Sequence, residues 1–187
     1  MNGIIVVDYD PAWPARFEAL AKRLEPALDG VVVAVEHVGS TSVPGLAAKP
    51  IIDLDIVVRD DDAAVTATIA ALATLGYAHR GDLGIPGREA FRAPAGGQAH
   101  HLYVCREGCP SLRNHLAVRE HLRAHPATAA AYGALKKALA ARHPDDIDAY
   151  IAGKAPLLLA ILAKSGFDED ELAAIAGQNG VRWPLES

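Results

Sequence analysis

A chain of 187 residues, 51% hydrophobic and 22% charged, can bury one real core; its net charge of −5 and pI near 5.9 exclude a broadly basic, nucleic-acid-binding surface. Its two cysteines, Cys105 and Cys109, form a lone C-x3-C, which makes neither a disulfide framework nor a zinc motif and reads as a pair of reduced thiols. The opening MNGIIVVDYDPAWP has no basic segment ahead of an apolar run, and APLLLAILA near the end is far short of the ~20 residues of a membrane span, so a soluble, cytoplasmic protein is expected.

In chain order, GIIVV (3–7) reads as a short strand. PAWPARFEALAKRLEPAL then has helical spacing, with Phe17, Leu20 and Leu24 on one stripe and Gly30 just past its end. VVVAVEHV (31–38) is rich in β-branched residues and predicts a buried strand. KPIIDLDIVV (49–58) predicts a second strand, with Pro50 tolerated near its start, and 61–76 a helix opened by Asp60 to Asp62 and closed by Gly76. From 77 to 105 short β pieces alternate with Gly/Pro-rich turns, which suggests an antiparallel continuation of the sheet. Beyond about 110 the pattern is helical throughout, with Pro126 and Pro144 marking helix starts, a last helix begun by the DEDE run at 168–171, and a tail over 179–187.

The expected fold is therefore α+β (mixed α/β): a mixed sheet with flanking helices, then a C-terminal helical bundle. The expected division is a core over 1–108 and a helical region over 109–187, packed as one compact unit.

The stretch VEHVGSTSVPGLAAKPIIDLDIVV (35–58) carries the chemistry. Strand alternation places Asp53 and Asp55 on one face and Ile52, Leu54 and Ile56 on the other. Two carboxylates inside an apolar strand need a partner, and acids about 6–7 Å apart on one face can converge on a hard cation. Gly39 allows close backbone approach to an anion, and the hydroxyls of Ser40 and Thr41 can donate to phosphate oxygens. Lys49 offers a counter-charge. Taken alone, a Gly-Ser turn or an Asp-x-Asp pair is equally a plain turn and half of a salt-bridge network.

The order hydrophobic-Gly-Ser, gap, Asp-hydrophobic-Asp resembles the polymerase-beta-like nucleotidyltransferases. Together with VVDYDPAWPARFE, HHLYV, HLAVREHLRAHP and AYGALKKALA, it identifies a resemblance to the GrpB-like family over about residues 4–164. That resemblance implies a nucleotidyltransferase-like sheet, with Gly39 and Ser40 holding a triphosphate and Asp53 and Asp55 holding Mg²⁺ or another divalent cation. Active superfamily members carry a third carboxylate on a later strand. Here the matching AHHLYV has none, and Tyr103 stands where the family pattern often has a histidine.

His101 and Tyr103 share a face, so His101 is a candidate metal ligand or general base, or a hydrogen-bonded sheet histidine, and Tyr103 a candidate substrate contact. His100 points the other way and reads as structural. His37 either lines the site or packs in the strand. Arg88 and Arg92 share a face, with Arg92 the better phosphate candidate. His115, Arg119 and Leu122 form a helical stripe; Arg119, with Lys136 and Lys154, either closes a cleft over an anionic substrate or supports helix packing as surface charge.

The expected activity is metal-dependent transfer of a nucleoside monophosphate from an NTP to a small-molecule acceptor, without nucleic acid or membrane partners. The alternatives are a non-catalytic nucleotide or metal binder, or the same pocket turned to another transfer or hydrolysis. A carboxylate facing the pair, with Glu89 the candidate, would favour the transferase.

Overall fold

The structure, a computed structural model, describes residues 3–184. The chain divides into two compact units. A sheet unit comprises Asp10–Ser42 and Ile51–Leu116; a helical unit comprises the chain up to Tyr9, Val43–Pro50, and the chain from Ala117 on. The last three residues of the tail expected over 179–187 lie outside the described residues.

In the sheet unit, helix α1 (Trp13–Leu28) precedes strand β1 (Ala34–Val38), a single 3-10 turn at Ser40–Ser42, and strand β2 (Ile52–Val58). Helix α2 (Asp62–Thr74), strands β3 (Ala78–His79), β4 (Arg88–Arg92) and β5 (His100–Arg106), and the start of helix α3 (Pro110–Ala124) follow. The sheet runs β1-β2-β5-β4-β3. β2 and β5 pair in parallel and every other pair is antiparallel, which makes the sheet mixed and bears out the α+β expectation.

Several element ends have a local cause. The Asp61 side chain accepts from the Ala64 N–H and caps α2. Gly76, at φ 84, ends the turn after it. Pro110 and Pro126 open α3 and α4, where a missing N–H costs nothing.

One sheet face is covered by α1 and α2, against Ile52, Leu54, Ile56, Leu102 and Val104, all at 1% exposure or less. On the other face Val57, Cys105, Cys109 and Leu112 form a smaller apolar cluster under the start of α3. Both cysteines are free thiols and buried.

The helical unit holds the rest of α3, then α4 (Pro126–Arg142), α5 (Ile147–Lys164) and α6 (Glu169–Gln178). Its core is Leu159, Leu162, Phe167, Leu172, Ile175 and Ala176, with a second cluster around Val43, Leu46, Tyr132 and Ile161. No helix among the described residues is long and apolar enough to cross a membrane.

Three expectations need correction. GIIVV is not a strand: Val7 makes one antiparallel bridge to Ala48, Ile4 N–H donates to the Pro144 carbonyl, and Ile4 and Val6 pack on Leu139 and Tyr150. Its apolar residues meet helix side chains and an isolated bridge partner, so no ladder propagates. The strand expected over 31–38 begins only at Ala34, because Val31 and Val32 are drawn back by hydrogen bonds to the Leu28 carbonyl. Lys136 is no surface charge: it is 2% exposed, and its Nζ sits 4.5 Å from the Tyr132 ring centroid.

Candidate active site

The site grows from the register of three strands. Asp53 lies beside Val38 of β1 and His101 of β5, while Asp55 lies beside Glu36 and Tyr103. Residues directly across a ladder point to the same side. Glu36, Asp53, Asp55, His101 and Tyr103 therefore share one face, joined by Arg88 and Ala90 of β4.

Gly39 follows β1 with φ 69, a left-handed turn natural to glycine. The turn presses the backbone against the first acid: a Cβ at position 39 would lie 2.2 Å from Asp53 Oδ2. The Ser42 hydroxyl donates to the Gly39 carbonyl at 2.7 Å and closes the turn. Thr41 is buried at 1% exposure, its Oγ1 3.0 Å from His37 Nε2. Of the two predicted hydroxyls, then, Thr41 already has a protein partner inside the fold, and Ser40 begins the 3-10 turn.

The two carboxylates differ sharply. Asp53 is partly open, its side chain 29% exposed, and Oδ1 lies 3.0 Å from His101 Nδ1. Asp55 is wholly buried. Its Oδ2 takes the His115 imidazole of α3 at 2.7 Å, while Oδ1 has no hydrogen-bond partner. A buried, half-satisfied carboxylate is expensive. Burial pulls the His115 imidazole toward the neutral form, but the Asp55 charge and hydrogen bond outweigh it and hold its pKa above the ordinary value.

Next to Asp55, the Tyr103 hydroxyl is pushed up chiefly by burial, with the charges of Asp53 and Asp55 adding to it. The Arg88 guanidinium lies over the Tyr103 ring, Cζ 4.4 Å from the centroid, and Arg88 Nε is buried without a partner. One face thus holds an unpaired carboxylate oxygen and an unpaired guanidinium N–H.

The superfamily resemblance implies a divalent cation, and the residues fit one. Asp55 Oδ1 is an unpartnered oxygen on a fully buried acid, and Asp53 stands one pleat away on the same face. Among the described residues no three His, Cys, Asp or Glu side chains already converge as a cluster. A cation would therefore draw Asp53 and Asp55 together.

Of the other expected contributors, His37, His100 and Glu89 point away from the acids, while Arg92 keeps their face at the end of β4. Arg92 is exposed at the end of β4, whereas Arg88 is buried beside Tyr103. The pairing of Arg88 with Cys105 places it under the apolar cluster, and Arg92 reaches the strand's solvated end. Glu89 is on the opposite face, pairs across to Val104, and takes His79 at 2.6 Å; the alternation of β4 forbids it from facing the acids. His37 also lies on the opposite face, across from Leu54, stacked on Phe17 at 4.6 Å. His100 is structural, bonded to the Tyr77 hydroxyl and the Gln98 carbonyl. Lys49 and Arg119 belong to the helical unit, where Lys49 Nζ lies 5.8 Å from the Tyr150 ring and Arg119 Nε donates to Glu120.

Glu36 is the residue of this face that a sequence reading misses; Arg88 is legible there as the same-face partner of Arg92, and His115 only as part of the Arg119 stripe on α3. The alternation of VEHV signals Glu36, since it alternates with His37. No local pattern ties His115 to Asp55, 60 residues away. A cleft of about 480 Å³ runs along α1, lined by Phe17, Glu18, Lys22, Glu25, Leu28 and Val35 among others; neither Asp53 nor Asp55 lines it.

The sheet order and the Gly-Ser turn ahead of an acidic strand define a nucleotidyltransferase-like fold. A solved structure titled as the Cid1 poly(U) polymerase with bound MgGTP aligns at TM-score 0.51 and 17% identity, covering 73% of this chain and 45% of that one. At that identity the likeness is one of fold. Residues 3–164 match the family described as GrpB protein, and the chain belongs to it.

The crystal structure of conserved protein GrpB from Enterococcus faecalis aligns at TM-score 0.75 and 39% identity, over 86% of this chain and 99% of that one. The UPF0157 protein YqkA of Bacillus subtilis is 37% identical across 95% of this chain, which spans 47% of that relative's length. Because Cid1 is a poly(U) polymerase, the fold does not separate nucleic-acid acceptors from small ones, and the expected exclusion of nucleic acid finds no support in it.

Proposed function

We propose that the chain is a metal-dependent nucleotidyltransferase that moves a nucleoside monophosphate from an NTP to a small acceptor. The observation that carries this reading is the pairing of the Gly39 turn, packed on Asp53, with a buried Asp55 whose Oδ1 is unpartnered. Asp53 and Asp55 would hold a divalent cation, Mg²⁺ or a related ion. Such a cation supplies charge neutralisation along the triphosphate and at the phosphorus under attack.

The chain's own groups do the rest. The Gly39 backbone and the Ser40 hydroxyl receive phosphate oxygens. Arg88, flat on Tyr103, offers its unpaired Nε–H to an anion at the other end of the face. His101, with a side chain 46% exposed and steered by Asp53, takes the proton of the acceptor hydroxyl. The net charge of −5 favours a small acceptor over a polyanion.

A second reading has its own observation. On β5 the neighbour of Asp55 is Tyr103, not an acid, which suits a nucleotide-binding module without turnover. Glu36, across from Asp55 on the other side, supplies a carboxylate to the same face and tips the balance toward catalysis.

Calorimetry with each NTP and Mg²⁺, on wild type and on Asp53→Ala and Asp55→Ala, tests the reading. Binding that both substitutions abolish is expected. No binding at millimolar NTP, or binding indifferent to both, would overturn it.

A further inference from the structure

We infer that Cys105 and Cys109 are a site of reversible oxidation: Cys109 reduces a small hydroperoxide, Cys105 closes a disulfide on it, and the closure loosens the first turn of α3.

One turn brings the two thiols together. Cys105 lies near the end of β5, Gly108 turns the chain at φ 72, and the Cys109 N–H donates to the Arg106 carbonyl at 3.1 Å. Both side chains enter one apolar cluster with Val57 and Leu112. There the Cys105 thiol donates to the Cys109 sulfur. Cys109 stands directly ahead of α3, and its sulfur also accepts from the Leu112 and Ser111 backbone N–H groups. It caps the helix as a serine or aspartate would, and the positive end of the helix dipole falls on sulfur.

The two thiols are thereby made unequal. The hydrogen bond from Cys105, with those from the helix amides, outweighs burial and lowers the Cys109 thiol to about 6. Donating that hydrogen bond raises Cys105, burial adds to it, and this thiol keeps its proton. Access follows the same order, since Cys109 is 8% exposed and Cys105 not at all. Gly87 lies against Cys109: a Cβ there would stand 2.7 Å from the Cys109 Cβ and 3.6 Å from its Sγ. A side chain at position 87 would crowd the sulfur, and glycine leaves it an approach for a small oxidant.

The Cys109 thiolate attacks one oxygen of the hydroperoxide. An S–O bond forms, the O–O bond breaks, and the departing oxygen takes a proton from solvent. Sulfur is oxidised to a sulfenic acid and the peroxide is reduced to an alcohol or water. Cys105 then attacks the Cys109 sulfur; the S–S bond forms, the S–O bond breaks, and hydroxide leaves with the Cys105 proton as water. In the disulfide neither sulfur is charged, so the Ser111 and Leu112 amides lose their anionic acceptor and α3 its cap. The loosened turn directly precedes His115, which holds Asp55, and so oxidation reaches the acidic face.

The test treats the whole chain with hydrogen peroxide at neutral pH and measures its mass, intact and after trypsin. Wild type should lose two hydrogens, regain them with dithiothreitol, and yield the peptides on either side of Arg106 joined through sulfur. Cys109→Ser should slow peroxide oxidation at least about 100-fold, because the remaining thiol is protonated and buried. Cys105→Ser should stop at a sulfenic acid that dimedone traps. In the oxidised wild type, hydrogen exchange at the Ser111 and Leu112 amides should rise at least about tenfold.

Thiols that stay unreacted in the folded chain yet oxidise in urea would overturn the inference. Disulfides between chains, or a sulfonate without an internal disulfide, would overturn it equally. An internal disulfide with unchanged exchange at the start of α3 would overturn its hold on the helix. The mass of the oxidised wild type decides the pairing even if a cysteine variant does not fold.

Discussion

The sheet unit and the helical unit treat buried polarity in different ways. The core of the helical unit is built from Leu159, Leu162, Leu172, Ile175 and Ala176, and its last helix is opened by a complete capping box between Asp168 and Glu171. The sheet unit keeps a fully buried carboxylate and a buried guanidinium, each with an unpartnered atom, on the face that carries the Gly39 turn. A buried polar atom without a partner costs stability, typically about 1–3 kcal/mol. Such a cost marks a place where a ligand is awaited. The helical unit buries a charge too, Lys136 against the Tyr132 ring, but among the described residues none of its buried polar side-chain atoms lacks a partner.

Substitutions in the two units put that contrast at risk. The largest stability effect is expected in the closed core: Leu162→Ala, at a position with no exposure, should cost about 2–5 kcal/mol in urea unfolding. Asp55→Asn should cost less than that, because it removes a half-paired charge, yet weaken divalent binding by at least about 100-fold in calorimetry. An Asp55→Asn loss as great as that of Leu162→Ala would mean that the acid is there for folding.

Gly39→Ala comes next, at about 1–3 kcal/mol, since it forces alanine into φ 69 and drives a Cβ against Asp53. Stability and cation binding should fall together. Asp168→Ala removes the cap of α6 and should cost about 1 kcal/mol, with cation binding unchanged.

The smallest effect is one of pH. His115 has a folded pKa above its ordinary 6.5, so its pairing with Asp55 stabilises the fold fully below pH 6.5 and fades as pH rises through the folded value. The stability gap between wild type and His115→Gln should therefore be widest on the acidic side and close under alkaline conditions. A gap that widens with pH would contradict the pairing.

Much of this is legible in the chain. Period-two alternation alone puts Asp53 and Asp55 together, and the helices from Pro110 onward are marked by prolines and caps that act locally. What stays hidden is long-range. GIIVV has strand composition, but its neighbours in space are a helix end and a single bridge, which no local pattern encodes. In sequence Arg92 is the better phosphate candidate; only the pairing with Cys105 places Arg88 under the apolar cluster. Glu89 is a plausible facing acid by composition, and only the antiparallel register sets it on the other side. His115 reaches Asp55 only because α3 follows the parallel strand β5, a topological fact rather than a motif.

The proposed activity requires Asp53 and Asp55 to receive, together, a cation that carries a nucleotide. A crystal structure with Mn²⁺ and a non-hydrolysable NTP would reveal this through the anomalous signal of the metal. The expected result is a peak within bonding distance of both carboxylates, with the phosphates against the Gly39 turn. A nucleotide bound elsewhere, or Mn²⁺ that touches neither acid, would contradict it.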